Sequence, residues 1–449
     1  MIKENQVYLY KQRNNNKYQQ LEQELLDVIR NAVDCIQPGN RVIIKPNFVR
    51  QCSLNSDGWE HIITNPQLIE MVLKVTVLKL QNTGEIVILD APQEDSDFNK
   101  IIRNTGLKKK IQKIQSTTNT PISCIDIRTE RKKTINGVIV SRKKQRGDPE
   151  GYVHVNLKQS SCFSEKKSMD YYGADYNRKD AKGYHNELDN TYVISKTVLE
   201  CDVFINMPKL KTHKIGGMTC CLKNAIGIIG IKNCIPHYTF GIPEIYGDAY
   251  PYINSSNKAE NKIKDLALAM LNKNIPFVGY IVAFSKWILS PILGKPFTVI
   301  RNGHWYGNDT LWRAILDLNR ILIYSDKYGK MHNEPQRKYI SIIDGIVAGE
   351  KNGPMAANPK ECGIVGISYN ALLGDRVMAH IMGFDYKKIP SIVKGYELDS
   401  FMLNNGQRPE DVIVISNNAK WNNRITDIDI QSCFHFIPAA GWNGHIELT

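Results

Sequence analysis

Hydrophobic positions along the N-terminal part of the chain alternate between two spacings. Val7-Tyr8-Leu9-Tyr10 is a short apolar run and predicts a strand. From Tyr18 to Ile36, the residues Leu21, Leu25, Val28, Ile29, Ala32 and Ile36 fall on one helical face, and Pro38-Gly39-Asn40 breaks the pattern. Arg41 to Asn47 (RVIIKPN) reads as a buried strand that runs into a loop. A helix is expected over Pro66 to Gln81 and a strand over Glu85 to Asp90. This β-α-β-α-β order predicts a parallel sheet with helices on its faces.

The same pattern returns at Val198 to Asn206, persists through Tyr339 to Asp344 and Ile364 to Ile367, and ends near Val412 to Ile415. Residues 142–190 are polar and turn-rich, with Tyr171, Tyr172, Tyr176 and Tyr184 interspersed, and little regular structure is expected there. The expected class is α/β, with mostly parallel sheets, helices on both faces and long insertions. Three regions follow: an N-terminal α/β region over 1–140, a polar Tyr-rich excursion over 141–195, and a second α/β region over 196–449. The last contains an apolar insertion at about 275–293, IPFVGYIVAFSKWILSPIL, with Lys286 as its single charge. A transmembrane helix needs ~20 apolar residues. Pro276, Gly279, Lys286 and Pro291 argue against a clean span. A buried hairpin or lid competes with an element in the bilayer interface, with Tyr280, Lys286 and Trp287 at headgroup depth.

Charge sharpens the picture. The 449 residues carry a net charge of +13, and Lys100 to Arg146 holds fourteen Lys and Arg against Asp126 and Glu130. Such a window is a solvated face or a dock for an anionic partner. It contains no aromatic residue, so sequence-specific nucleic-acid recognition by stacking is not expected. The ten cysteines form no C-x-x-C pair, and Met1 to Gln6 begin no apolar leader. A cytoplasmic protein with reduced thiols and no iron–sulfur cluster is expected, with peripheral membrane contact as an open alternative.

Candidate chemistry gathers after predicted strands, where open α/β sheets bind ligands. Lys45, Asn47 and Asp90 lie just past two strand ends. Asn206 to His213 (NMPKLKTH) leads into Gly216 to Gly227 (GGMTCCLKNAIG). Lys209, Lys211 and Lys223 would offer positive charge to a phosphate or carboxylate, together with Asn224. His213 is the first candidate for general base or metal ligand, and His304 the second. The spacing is not that of a P-loop. Near His304, Asn308 and Asp309 precede a helical pattern. Asp309 suits a helix N-cap, and Arg313 on that helix could orient an anion. Asp344, Glu350 and Asn352 sit in a Gly-rich segment expected to be a tight loop. Asp90, Asp309, Asp344 and Glu350 are candidate oxygen ligands for a divalent cation.

PKLKTH followed by GGMTCCLKNAIG resembles the signature of the domain-of-unknown-function 362 family. RVIIKPN at 41–47, IIDGIVAGEKNGP at 342–354 and GDRVMAHIMGFD at 374–385 match the same family's order, over about 40 to 395. The resemblance implies fold and site positions; the family name gives no reaction. Some members are fused to iron–sulfur modules, whose cysteine runs are missing here. The Lys-Thr-His, Gly-Gly, Lys arrangement is also similar, as an analogy only, to nickel-pincer lactate racemases. Two expectations result. One is an enzyme acting on an anionic small molecule or lipid-linked substrate, with Lys and His lining the cleft and a divalent metal assisting. The other is a non-catalytic ligand-binding or membrane-docking protein.

Overall fold

The computed structural model describes residues 5–13, 18, 21, 23–51, 58–173, 178–252, 270–271, 277–289 and 302–449. Its strands in chain order are β1 (Gln6–Lys11), β2 (Arg41–Pro46), β3 (Glu85–Asp90), β4 (Ile122–Asp126), β5 (Glu130–Ile135), β6 (Val138–Lys144), β7 (Tyr152–Asn156) and β8 (Tyr171–Tyr172). They continue with β9 (Thr191–Ser195), β10 (Val203–Met207), β11 (Lys209–His213), β12 (Gly217–Thr219), β13 (Tyr238–Thr239), β14 (Lys338–Asn352), β15 (Ala356–Ser368) and β16 (Ile413–Ser416).

One ten-stranded sheet dominates, in the order β16-β1-β15-β14-β10-β2-β3-β4, with β11 and β12 branching from β14. The run β14-β10-β2-β3-β4 is parallel throughout, as alternating strands and helices demand. Antiparallel pairing enters where the long β14–β15 hairpin and β1 join. The α/β class with a mostly parallel sheet is therefore observed. Residues from both predicted α/β regions interleave in it, since β10 lies between β2 and β14.

The period of two in each strand sorts side chains to opposite faces. Val42, Ile44, Ile86, Ile88, Val203 and Ile205 join one core with the helices Gln23–Ala32, Pro66–Leu80 and Leu107–Gln115. Ile43, Val87, Leu89 and Phe204 point the other way, onto the helices Leu311–Tyr324 and Ala371–Met382. Near-continuous apolar strands follow from that double coverage.

Several expectations change. The excursion at 142–190 is more regular than its composition suggested: β7 pairs antiparallel with β9, and Arg178–Tyr184 is helical. The segment after Ile343 is not a tight loop. β14 continues to Asn352 because β15 pairs with it as far as Ala356, with a register irregularity between Gly345 and Val347. Asp309 does not cap its helix. Asn308 Oδ1 accepts from the amides of Thr310 and Leu311.

Within the apolar insertion, Val278–Leu289 forms a helix, while residues 275–276, 290–293 and the Lys286 side chain lie outside the described residues. Its large residues do not enter a core. Phe277, Tyr280, Ile281, Phe284, Trp287 and Ile288 are all exposed, and Phe284 stacks on Trp287. Ala283 is buried, and Gly279 lets the helix approach the backbone of Ile139 and Val140 in β6. No helix among the described residues is long and apolar enough to cross a membrane.

Candidate functional site

The C-terminal ends of β2, β3 and β10 meet the segment that follows β12. Lys45, on β2, is 1% exposed and donates to Asp90 Oδ1 at 2.8 Å and to Asn224 Oδ1 at 3.2 Å. Asp90 has no spare capacity, because the amides of Phe48 and Ala91 also bind its carboxylate. Asn224 Oδ1 accepts from Asn47 Nδ2 at 2.8 Å, and its Nδ2 donates to Asn206 Oδ1 at 2.7 Å. Asn47 Oδ1 in turn accepts from Lys211 Nζ at 2.8 Å, and Lys211 also donates to the carbonyl of Ile62. Lys45, Asn47, Asp90, Lys211 and Asn224 are thus one continuous network, with Asn206 as its floor. Gly227 closes it, since a Cβ there would overlap Asp90 Oδ1 and Lys45 Nζ.

Lys209 stands apart from this network. Its ammonium is 2.7 Å from Asp344 Oδ2 and donates to the Tyr18 hydroxyl at 2.8 Å, with no exposure on either side of the pair. Tyr18 donates to Asp344 Oδ1 at 2.6 Å, and the Asn65 amide donates to Oδ2. Burial pulls the Lys209 ammonium below its usual range, against the opposing pull of Asp344. This lysine anchors β11 to β14 and offers no donor to a ligand.

Two further lysines, Lys223 and Lys232, lack such partners among the described residues. Lys223 makes no hydrogen bond or ion pair among the described residues, and its stem lies beside Gly216, as does the His213 ring. Burial, then Lys232 and Lys45, pull it down to about 7. Lys232 reaches only the carbonyl of Ile226, at 3.4 Å, and burial brings it to about 8.

His213 Nδ1 accepts from the amides of Ile215 and Gly216, each at 3.1 Å. The neutral ring then carries its proton on Nε2 and presents a donor. Burial, followed by Lys223 and Lys211, holds its pKa well below the ordinary value, so the neutral form persists. His213 therefore fits neither a general base nor a metal ligand in this arrangement. The complementary ring is His237, which sequence reasoning missed. Its Nδ1 lies 3.0 Å from the carbonyl of Ile235, so Nδ1 donates and Nε2 keeps a lone pair. Burial and the nearby Lys223 and Lys232 bring it to about 4. The signal available was weak: an isolated histidine in a largely apolar segment after the Gly-rich run. His304 lies near enough to His213 to lower its pKa.

The remaining candidates serve the scaffold. Asn308 holds His237 in place by donating to its carbonyl at 3.0 Å. Asp309 pairs with Lys166 at 3.0 Å and with Arg313 at 3.1 Å, and Arg313 also binds the carbonyl of Cys162. Glu350 pairs with Lys360, and Asn352 accepts from the Ala440 amide. Asp90, Asp309, Asp344 and Glu350 do not converge on a shared cation site. The metal-ligating types that do cluster among the described residues are Cys220, Cys221 and Asp375. There the carboxylate is taken up by the amides of Cys221 and Leu222, and burial raises both thiols, keeping them protonated.

Comparison with known proteins places this geometry in a family context. A thylakoid-associated protein of Synechocystis sp. is 22% identical over 371 residues, spanning 82% of this chain and 71% of that protein. A crystal structure of a protein from Thermotoga maritima aligns over 77% of this chain and 55% of its own, at 10% identity and a TM-score of 0.32. The chain thus spans little more than half of that solved structure. The family model of the domain of unknown function DUF362 matches residues 162–380, which hold the Lys-Leu-Lys-Thr-His strand, the Gly-Gly turn, Lys223 and His237. Over that segment the chain is similar to the DUF362 family.

Proposed function

We propose that the chain is an enzyme that binds an anionic substrate in the cleft at the C-terminal edge of β2, β3 and β10 and moves a proton on it. The observation that carries this reading is the charge count of the cleft. Lys45, Lys211, Lys223 and Lys232 converge there, while Asp90, the carboxylate among them, is fully engaged. His237 Nε2 serves as proton acceptor and His213 Nε2–H as donor, since their partners fix opposite tautomers. Both rings are kept neutral by burial and neighbouring ammonium groups, so near neutral pH one offers a lone pair and the other an N–H to the same ligand. A thermal-shift screen of carboxylates and phosphate esters tests the reading. Anions should raise the melting temperature of the wild type, and Lys211→Met should abolish the rise. A screen in which no anion stabilises the protein would overturn it.

A second reading, membrane association, is favoured by the Val278–Leu289 helix. It turns Gly279 and Ala283 inward and five large apolar residues outward, with Phe277 exposed just before it, the inverse of a soluble helix. The hairpin behind it exposes Lys133, Lys143 and Lys144, which make no ion pair among the described residues. A thylakoid-associated relative is compatible with this reading. Lysines near an anionic bilayer contribute ~1 kcal/mol each. Sedimentation with phosphatidylglycerol vesicles should retain the wild type at low salt and release Phe284→Ser/Trp287→Ser. Equal binding to neutral vesicles at high salt would count against it.

A further inference from the structure

Electrostatic accounting of the buried lysines narrows the ligand. Lys45 pairs with Asp90, Lys132 with Glu94, Lys166 with Asp248 and Asp309, and Lys209 with Asp344. Four of the five buried lysines among the described residues thus meet a carboxylate, and the fifth, Lys211, is held by Asn47 and the carbonyl of Ile62. Lys223 and Lys232 differ: they lie deep but keep part of their side chains exposed. Among the described residues neither has a carboxylate within ion-pair distance, and they are close enough for Lys232 to act on Lys223. Lys45 adds to the positive field on both, Asp90 and Glu94 act on Lys232 from beyond ion-pair distance, and the groups around Lys223 are otherwise His213 and His237, both neutral. His213 adds its Nε2–H as a third donor.

We infer that Lys223 and Lys232 bind a doubly charged oxyanion, of the phosphate-monoester type, whose two charges replace the carboxylates these lysines lack. The inference rests on the anionic-substrate reading and deepens it. A single carboxylate would leave one of the two ammonium groups without an ion-pair partner. A tetrahedral dianion meets both and keeps an oxygen for the His213 donor.

Titration calorimetry at pH 7 with inorganic phosphate and with acetate tests this. Phosphate should bind at least tenfold more tightly than acetate. Lys223→Met and Lys232→Met should each weaken phosphate roughly ten- to hundredfold, the range for a hydrogen bond to a charged group. Lys223→Arg should retain most of the affinity, and circular dichroism of each variant shows whether it has folded. Acetate binding as tightly as phosphate, or folded Met variants that bind phosphate like the wild type, would overturn the inference while leaving the anionic-substrate reading intact. Absence of binding by both anions would overturn both. Competition against bound phosphate identifies the source: displacement by phosphatidate vesicles marks a lipid headgroup, and displacement by glycerol phosphate alone marks a soluble ester.

Discussion

Lys209 offers the sharpest test of which lysines hold the fold and which face a ligand. Replacing it with Met keeps most of the volume and removes the charge. Asp344 would keep the Tyr18 hydroxyl at 2.6 Å and the Asn65 amide at 2.8 Å, but would lose its cation in a site with no exposure. Breaking one side of a buried pair costs ~3–5 kcal/mol. For a chain of this size ~2 °C accompanies each kcal/mol, so the melting temperature should drop roughly 6–10 °C. Urea unfolding followed by tryptophan fluorescence gives the free energy, and a thermal scan gives the shift. Lys209→Met/Asp344→Leu should recover most of the loss, because two well-packed apolar groups need no compensation. Anion binding, scaled to the folded fraction, should survive Lys209→Met. A variant as stable as the wild type that fails to bind anions would refute this reasoning and put Lys209 back in the cleft.

Further outcomes follow from the same geometry. The folded-state pKa of His237, about 4, lies below the ordinary 6.5, so the unfolded chain takes up the extra proton and stability falls as pH drops from 6.5 towards 4. The full effect of that ring is ~3 kcal/mol; His237→Gln should flatten this part of the pH–stability curve in urea melts, and equal slopes would speak against it. Asp375 works in the opposite direction: burial raises its carboxyl to about 7, so the stability it adds below pH 3.8 is lost as pH rises through 7. Asp375→Asn should therefore gain on the wild type between pH 5 and pH 8 in the same melts, and a loss over that interval would contradict it. Gly227→Ala should destabilise by ~1–3 kcal/mol, because its methyl group would displace the Lys45–Asp90 pair. An unchanged melting temperature would mean that the pair yields more easily than its contacts suggest.

The parallel core was legible in the sequence because each strand is apolar on both faces and bounded by Pro, Gly or Asn. Glu85 to Asp90 was placed to the residue, and Arg41 to Pro46 within one. The Lys45, Asn47, Lys211 and Asn224 grouping was legible because Lys45 and Asn47 sit at the end of β2, and Lys211 and Asn224 flank the Gly-rich turn after β10, on the edge where a parallel sheet gathers ligands. Lys209 was misassigned, since lysines two apart on a strand look equivalent. A register shift between Lys209 and Lys211 against β14, and the hydroxyl of Tyr18 far along the chain, separate them. His237 was missed for a related reason. Its role depends on Lys223 and Lys232 for electrostatics and on Asn308 for position, and no local pattern announces such contacts. The exposed face of the Val278–Leu289 helix was read only as apolar. Which side faces out depends on Gly279 packing against β6.

The position of β1 has a consequence for how the protein is made. It sits inside the sheet, antiparallel to β15 through Val7 and Ser368 and parallel to β16 through Val7 and Val414. During synthesis the first strand leaves the ribosome long before either neighbour exists. Its ladder groups and the apolar side chains of Val7 and Leu9 must wait, exposed, until almost the whole chain has followed. The β2-β3-β4 sector can assemble early from contacts near in sequence, whereas the β16-β1-β15 sector closes last. A chain stopped before Ile364 would leave β1 without either neighbour, an unpaired and adhesive segment.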